Sequence, residues 1–460
     1  MKRRNFIKLS LVLSSMALMP QYIKASELVL SDIEFSEDIC NDNAAQTLII
    51  YLYGGASQLS GNVSNLDEIE KLSQTSYKDY FDKRLTQTTN HFWQEAGGEE
   101  MESLIENGDM TLFRTCYSKV RESTNNKAHG VCTQENQKGT WDNNAGGILA
   151  NLGQVLESHK IVDSDSLMPF VSMEGESTFY QEGYSPLSPY LKPMGINEKF
   201  DNPYYRNRVR RWYYYTQEER DSAPDTYNKS DEDGGFDPAL TASMDTLAQE
   251  QNSAGKIKDS FTKRVSRDEF MRNIATATTP DLGDDAYPNN AFAKKIEAAI
   301  KLLVNNSDTK VLTLGTGGLG GWDDHNEAKK YITRMKDLFL SLKSAMAHLK
   351  AEEKNNKINI MVFGEFGRNV NLNLSNGWDH GNLQNLFVLG GNDYFNHKGV
   401  VGETKLVDDG NVNRLYLQPS DDSYWFEPLS IAATLYKIYG IENPEILTDG
   451  CEAIAPLFEA

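Results

Sequence analysis

The chain has 460 residues, 39% of them hydrophobic, with 46 basic against 66 acidic side chains and a formal net charge of −20. That length suffices for one large α/β domain with insertions and a sizeable core. The acidic excess argues against a nucleic-acid partner and against an anionic membrane surface, both of which would repel it.

Residues 1–25 read as a twin-arginine signal peptide. Arg3 and Arg4 are followed by Asn5-Phe6-Ile7-Lys8 and then by an apolar run, LSLVLSSMALM, too short to span a bilayer as a stable helix. A plain membrane anchor is the alternative. The implied partner is the twin-arginine export machinery, and the implied location is periplasmic or secreted. No stable membrane span is expected after cleavage, for which Ala25 is a candidate last residue. The cysteines, Cys40, Cys116, Cys132 and Cys451, form no CxxC pair, which argues against a structural zinc site of that kind. In an oxidising compartment they allow up to two disulfides.

Residues 26–46 form a polar leader to the mature domain. The run TLIIYLYGG at 47–55 is continuously apolar and ends in two glycines, the pattern of a central buried strand. Residues 65–108 are polar and mixed, with helical character. TLFRTCY at 111–117 predicts a second strand, residues 141–158 a helix, and MPFVSM at 168–173 a third strand. Residues 174–290 change character, being rich in Tyr, Asn, Asp, Gly and Pro, and read as an inserted, cap-like region of a single domain spanning 26–460. Within it, YYRNRVRRWYYY at 204–215 is either a substrate-facing aromatic wall or a helix with its rings on the core. SDEDGGFD at 230–237 lacks the closing Glu of a calcium loop. Core-like spacing resumes with Phe292, Ile296, Ile300 and Leu303 on one helical face. A strand at 311–314, the longest helix at 326–352 and a strand at 358–363 form a crossover, so the two strands should be parallel. A strand at 386–389 and a helix at 428–439 complete the reading.

The chemistry concentrates between residues 311 and 391. The glycine-rich GTGGLGG leads into Trp322-Asp323-Asp324-His325, where carboxylate and imidazole are ordinary metal ligands. A helix N-terminus capped by aspartate explains the same residues without a metal. Glu365 and Arg368 in GEFGR fall where a strand gives out, as a ligand and an oxyanion clamp or as a surface ion pair. Asp379 and His380 precede Gly381. His129, in AHGVCTQ, either joins the cluster or decorates a loop.

In this order the motifs resemble the exported bacterial family catalogued as domain of unknown function 1501, itself similar to the alkaline phosphatase and sulfatase superfamily. The resemblance covers essentially the whole mature chain and is sharpest over residues 321–391. It implies a doubly wound, mostly parallel α/β sheet, an alkaline-phosphatase-like core, with a metal centre at the strand ends. Carried over by motif, Asp323, His325, Glu365, Asp379 and His380 would bind the metal, and Arg368 and His129 would serve catalysis. The chain departs from the family pattern at Ser57, Val131 and Asn382, where ligands are expected. Ser57, Cys132 and Thr133 are candidate nucleophiles by position.

The expected function is an exported metal-dependent hydrolase acting on phosphate or sulfate esters, with a small-molecule or glycan ester as substrate. Its divalent metal would be zinc, manganese, magnesium or calcium. The alternative is a catalytically decayed member of the fold, acting as an envelope binding or assembly protein.

Overall fold

A computed structural model describes residues 28–36, 45–59, 69, 86–200, 266–267, 269–326, 328–407 and 415–459. The signal-peptide reading, the 204–215 cluster and the 230–237 loop lie outside these residues.

The centre is an eight-stranded sheet. β1 (Gln46–Leu52), wholly buried, lies in its middle. On one side stand β5 (Val311–Leu314), β3 (Phe170–Ser172) and the short edge strand β4 (Met194–Gly195). On the other stand β6 (Ile358–Gly364), β7 (Gln384–Gly390), β2 (Met110–Cys116) and the edge strand β8 (Gly399–Val401). Ile50 is in register with Leu314 on one neighbour and with Val362 on the other, both parallel. The predicted crossover strands β5 and β6 thus run the same way, with β1 inserted between them. β7 alone is antiparallel to its neighbours β6 and β2, so the sheet is mostly parallel. β9 (Thr404–Val407) and β10 (Tyr416–Pro419) form a separate antiparallel pair. Strands β4, β8, β9 and β10 lack long apolar runs and were not predicted.

Alternation along β1 divides the interior into two cores. Leu48, Ile50 and Leu52 face one, with α5 (Ala291–Asn305) and α6 (Lys330–Ala351) against it through Ile296, Ile300, Leu338 and Leu342. Ile49 and Tyr51 face the other, covered by α4 (Ile148–Ser158) and α7 (Ser430–Ile438). α1 (Gly98–Glu106) packs on the first core through Met101 and Leu104. Helices on both faces make the fold doubly wound α/β, as expected. Among the described residues no helix is long and apolar enough to cross a membrane.

Two expectations need correction. The helix predicted from residue 141 begins only at Ile148, because Gly147 is extended, with φ −67° and ψ 156°, and its amide donates to the Gln181 carbonyl at 2.9 Å. The inserted region does not all stand apart, since β4 pairs with β3 inside the main sheet. Among the described residues Cys116, Cys132 and Cys451 are free thiols, and Cys40 lies outside them.

Candidate metal centre

Every segment of the site lies on one rim of the sheet. β1, β5 and β6 end there, so the residues that follow them, Tyr53 to Gly55, the glycine-rich loop to His325, and Glu365 to Arg368, are delivered side by side. β7 begins there because it is reversed, and this sets Asp379 and His380 on the same rim. The isolated bridge between Arg368 and His380 fastens the two loops. β2 also ends at this rim, leading through α2 (Lys119–Thr124) to His129, the first residue of α3 (His129–Lys138).

α3 escaped prediction because it has no apolar stripe. Its inward face is polar: Asn136 Nδ2 donates to the Gly364 carbonyl at 2.7 Å, and Gln137 Nε2 donates to Tyr53 Oη at 2.9 Å. Buried Arg121 of α2 reaches Glu135 at 2.9 Å and the Glu365 carbonyl at 2.9 Å, locking α2 and α3 to the end of β6.

His129, Asp323, His325 and His380 each offer one donor atom, and these atoms lie within 4.8 Å of one another. Asp323 Oδ1 is 3.3 Å from His129 Nε2 and 3.3 Å from His325 Nε2. The Nε2 atoms of His325 and His380 are 2.8 Å apart. Each ring is turned by an acceptor at its other nitrogen. His129 Nδ1 faces Glu365 Oε2 at 2.5 Å, His325 Nδ1 faces Asp379 Oδ1 at 3.2 Å, and His380 Nδ1 faces the Lys127 carbonyl at 2.6 Å. Carboxylates and carbonyls accept, so each Nδ1 carries the proton and each Nε2 presents a lone pair to the group. Two lone pairs meeting at 2.8 Å repel unless a proton or a metal ion lies between them, and His129 Nε2 is buried without a hydrogen-bond partner. The donor set therefore fits a metal ion. Four donors at zinc-like bond lengths of about 2.0–2.1 Å in a tetrahedron stand roughly 3.3 Å apart, matching both separations from Asp323 Oδ1.

Electrostatics favour the same state. Burial, with the nearby Arg368 guanidinium, pushes His380 down to about 4, which keeps it neutral. Burial alone would raise the Asp323 carboxyl, but the hydrogen bond and charge of the Arg368 guanidinium hold it below the ordinary carboxylate range.

The expected ligands divide into two groups. Asp323, His325 and His380 meet in the donor group, and His129, expected to serve catalysis, joins them. Glu365 and Asp379 do not: they stand behind His129 and His325 as acceptors. Glu365 is further engaged by the Gly54 amide on Oε1 at 2.8 Å, and Asp379 Oδ1 by Asn373 Nδ2 at 3.2 Å. Arg368 is not placed as an oxyanion clamp. Its side chain is fully buried, with Nε donating to the Gly55 carbonyl at 2.7 Å and Nη1 to the Trp378 carbonyl at 3.0 Å. Its Nη2 donates to the Gly54 and Trp322 carbonyls and to Asp323 Oδ1, the last at 2.8 Å. Arg368 thus knits the rim loops together and fixes Asp323. Asp324 plays no part in the donor group, since buried Arg334 takes both its oxygens at 2.5 Å.

The candidate nucleophiles by position also turn away. Ser57 is buried and its Oγ accepts the Leu59 amide at 3.4 Å. Burial raises the Cys132 thiol to about 11, and Thr133 lies against the buried phenol of Tyr51. Of the departures from the family pattern, Asn382 is buried and donates to the Ser118 carbonyl at 2.6 Å. The sequence reading missed Lys127, Asn373 and Tyr416. Asn373 clamps the two loops by donating to the His325 carbonyl at 2.9 Å and accepting the Gly377 amide at 3.0 Å. Beside the group opens a cleft of about 440 Å³, lined by Asn125, Asn126, Lys127, Ala128, His325, Asp379, His380 and Tyr416.

Fold and rim together define an α/β protein carrying a histidine–aspartate group able to hold a metal ion. The chain belongs to the family described as "Protein of unknown function (DUF1501)", whose model matches residues 44–412. No curated protein matches it. Among solved structures it is similar to one described as "Crystal structure of Ps i-CgsB in complex with k-i-k-neocarrahexaose". That likeness has 9% identity and a TM-score of 0.35, and covers 87% of this chain and 74% of the other. It is too low in identity and superposition to transfer a function.

Proposed function

We propose that this chain is a metal-dependent hydrolase of phosphate or sulfate esters. The reading is carried by one observation: three histidine Nε2 atoms and Asp323 Oδ1 converge at a rim that opens into a cleft. A divalent ion held there would polarise a phosphoryl or sulfuryl oxygen and lower the pKa of a water molecule. Three imidazoles and one carboxylate are a borderline donor set, which favours zinc over magnesium or calcium.

The chain's own residues do the rest. Glu365, Asp379 and the Lys127 carbonyl fix the three imidazoles in one tautomer, and Arg368 fixes the Asp323 carboxylate. No Ser, Thr or Cys lines the cleft among the described residues, so water is the attacking group in this reading. Gly54, Gly55 and the buried Phe366 close the site from the sheet side. Export along the twin-arginine route, resting on Arg3 and Arg4, places the activity in the periplasm or outside the cell.

The test is metal analysis of the full chain, then a panel of phosphate monoesters, phosphate diesters and sulfate esters. Hydrolysis lost in both His325→Ala and His380→Ala supports the reading. A zinc-loaded chain that turns over none of the panel overturns it. That outcome would favour the second reading, an envelope binding or assembly protein, to which the departures at Ser57, Val131 and Asn382 point.

A further inference from the structure

The buried, fully engaged Arg368 leaves an anionic ester without the cation expected to receive it. Among the described residues lining the cleft, Lys127 is the one lysine or arginine. Its Nζ stands 3.1 Å from Asn125 Oδ1 and 5.2 Å from the centre of the Tyr416 ring. Its backbone carbonyl holds His380 Nδ1 at 2.6 Å. One residue therefore both sets the tautomer of a donor histidine and projects an ammonium group along the wall beside it.

The loop that carries Lys127 is built for this position. Asn125 ends α2 in the left-handed conformation, with φ of 52°, and Asn126 Oδ1 accepts the Ala128 amide at 3.3 Å. The left-handed turn at Asn125, this bond and the His380 contact fix the backbone, while the long lysine stem keeps its reach.

Asp379, which also lines the cleft, would repel an anion, and Lys127 is the group on the same wall that offsets it.

We infer that Lys127 is the anion-recognition residue of this cleft, taking a phosphate or sulfate oxygen while the ester lies against Tyr416. This rests on the reading of the rim as an ester-binding centre. The experiment is calorimetric titration of the zinc-loaded full chain with inorganic phosphate and with inorganic sulfate. The wild type should bind at least one of them. Lys127→Ala should bind it at least tenfold more weakly, Lys127→Arg should recover most of the loss, and zinc content should be the same in all three. Equal anion affinity in the wild type and Lys127→Ala overturns the assignment. So does a wild type that binds neither anion, or a Lys127→Ala chain that loses its zinc, since the lysine then serves assembly of the centre. If anion binding falls as expected while no ester is hydrolysed, the lysine assignment stands and the hydrolase reading fails.

Discussion

Glu365 holds His129 from behind, its Oε2 lying 2.5 Å from the imidazole Nδ1 while its Oε1 receives the Gly54 amide at 2.8 Å. The carboxylate thereby joins the end of β1, the end of β6 and the start of α3 at one point. It also separates two classes of residue that the sequence alone could not tell apart.

That separation can be measured. Alanine at His325 or His380 removes a donor and should abolish stoichiometric zinc binding. Glu365→Gln keeps the shape but weakens the acceptor behind His129, and should lower zinc affinity by about 10–100-fold without abolishing it. Chelator competition gives both values. Equal losses in His325→Ala and Glu365→Gln would contradict the division.

Gly54 is required by its surroundings. Its φ is 107°, and a Cβ there would lie 2.5 Å from the Asp323 amide nitrogen. Gly54→Ala should therefore destabilise the fold by about 2 kcal/mol or more and displace Asp323. Denaturant unfolding and zinc titration of the same variant should move together. Unchanged stability would mean that the close approach is not kept in solution.

Asp324 and Arg334 form a buried ion pair in which Nη2 reaches both carboxylate oxygens, with the guanidinium 4.9 Å from the centre of the Trp322 ring. Asp324→Ala leaves a buried cation uncompensated and should cost about 3–5 kcal/mol. The double variant Asp324→Ala/Arg334→Met should recover part of that loss in urea unfolding. A single variant as stable as the wild type would show that the pair is open to solvent.

His348 gives a pH dependence with a definite sign. It is buried in α6 with Nδ1 3.1 Å from Tyr287 Oη, and burial pushes its pKa down from 6.5 to about 4, Glu297 and Lys301 exerting smaller, opposed effects. Between pH 6.5 and 4 the unfolded chain takes up a proton that the folded chain refuses. Stability should fall as the pH drops through that window, by at most about 3 kcal/mol from this group. His348→Gln should flatten the slope relative to wild type, and an identical slope in both would refute the assignment to His348.

The strands that form the middle of the sheet were legible because they are buried on both faces and read as apolar runs: residues 47–52, 111–116, 311–314, 358–363 and 386–389 all lie in strands. The edge strand β8 and the β9–β10 pair are half exposed and carry no such run. The convergence of Asp323, His325 and His380 follows from strand ends being neighbours on a rim. What could not be read was which carboxylate joins the donor group and which stands behind it, because Asp and Glu serve both roles with the same chemistry. The burial of Arg368 was equally hidden, since nothing in GEFGR tells an external clamp from an internal brace. Lys127 gave no signal at all, as half of its contribution is a backbone carbonyl.

The reversal of β7 between β6 and β2 has a kinetic corollary. His129, His325 and His380 come from three distant stretches of chain, and the last is delivered only by the one strand that runs backwards. On the metal-binding reading, a refolding molecule completes its coordination sphere only once that strand is seated, so ion uptake would report sheet completion and a chain truncated before residue 379 should show none.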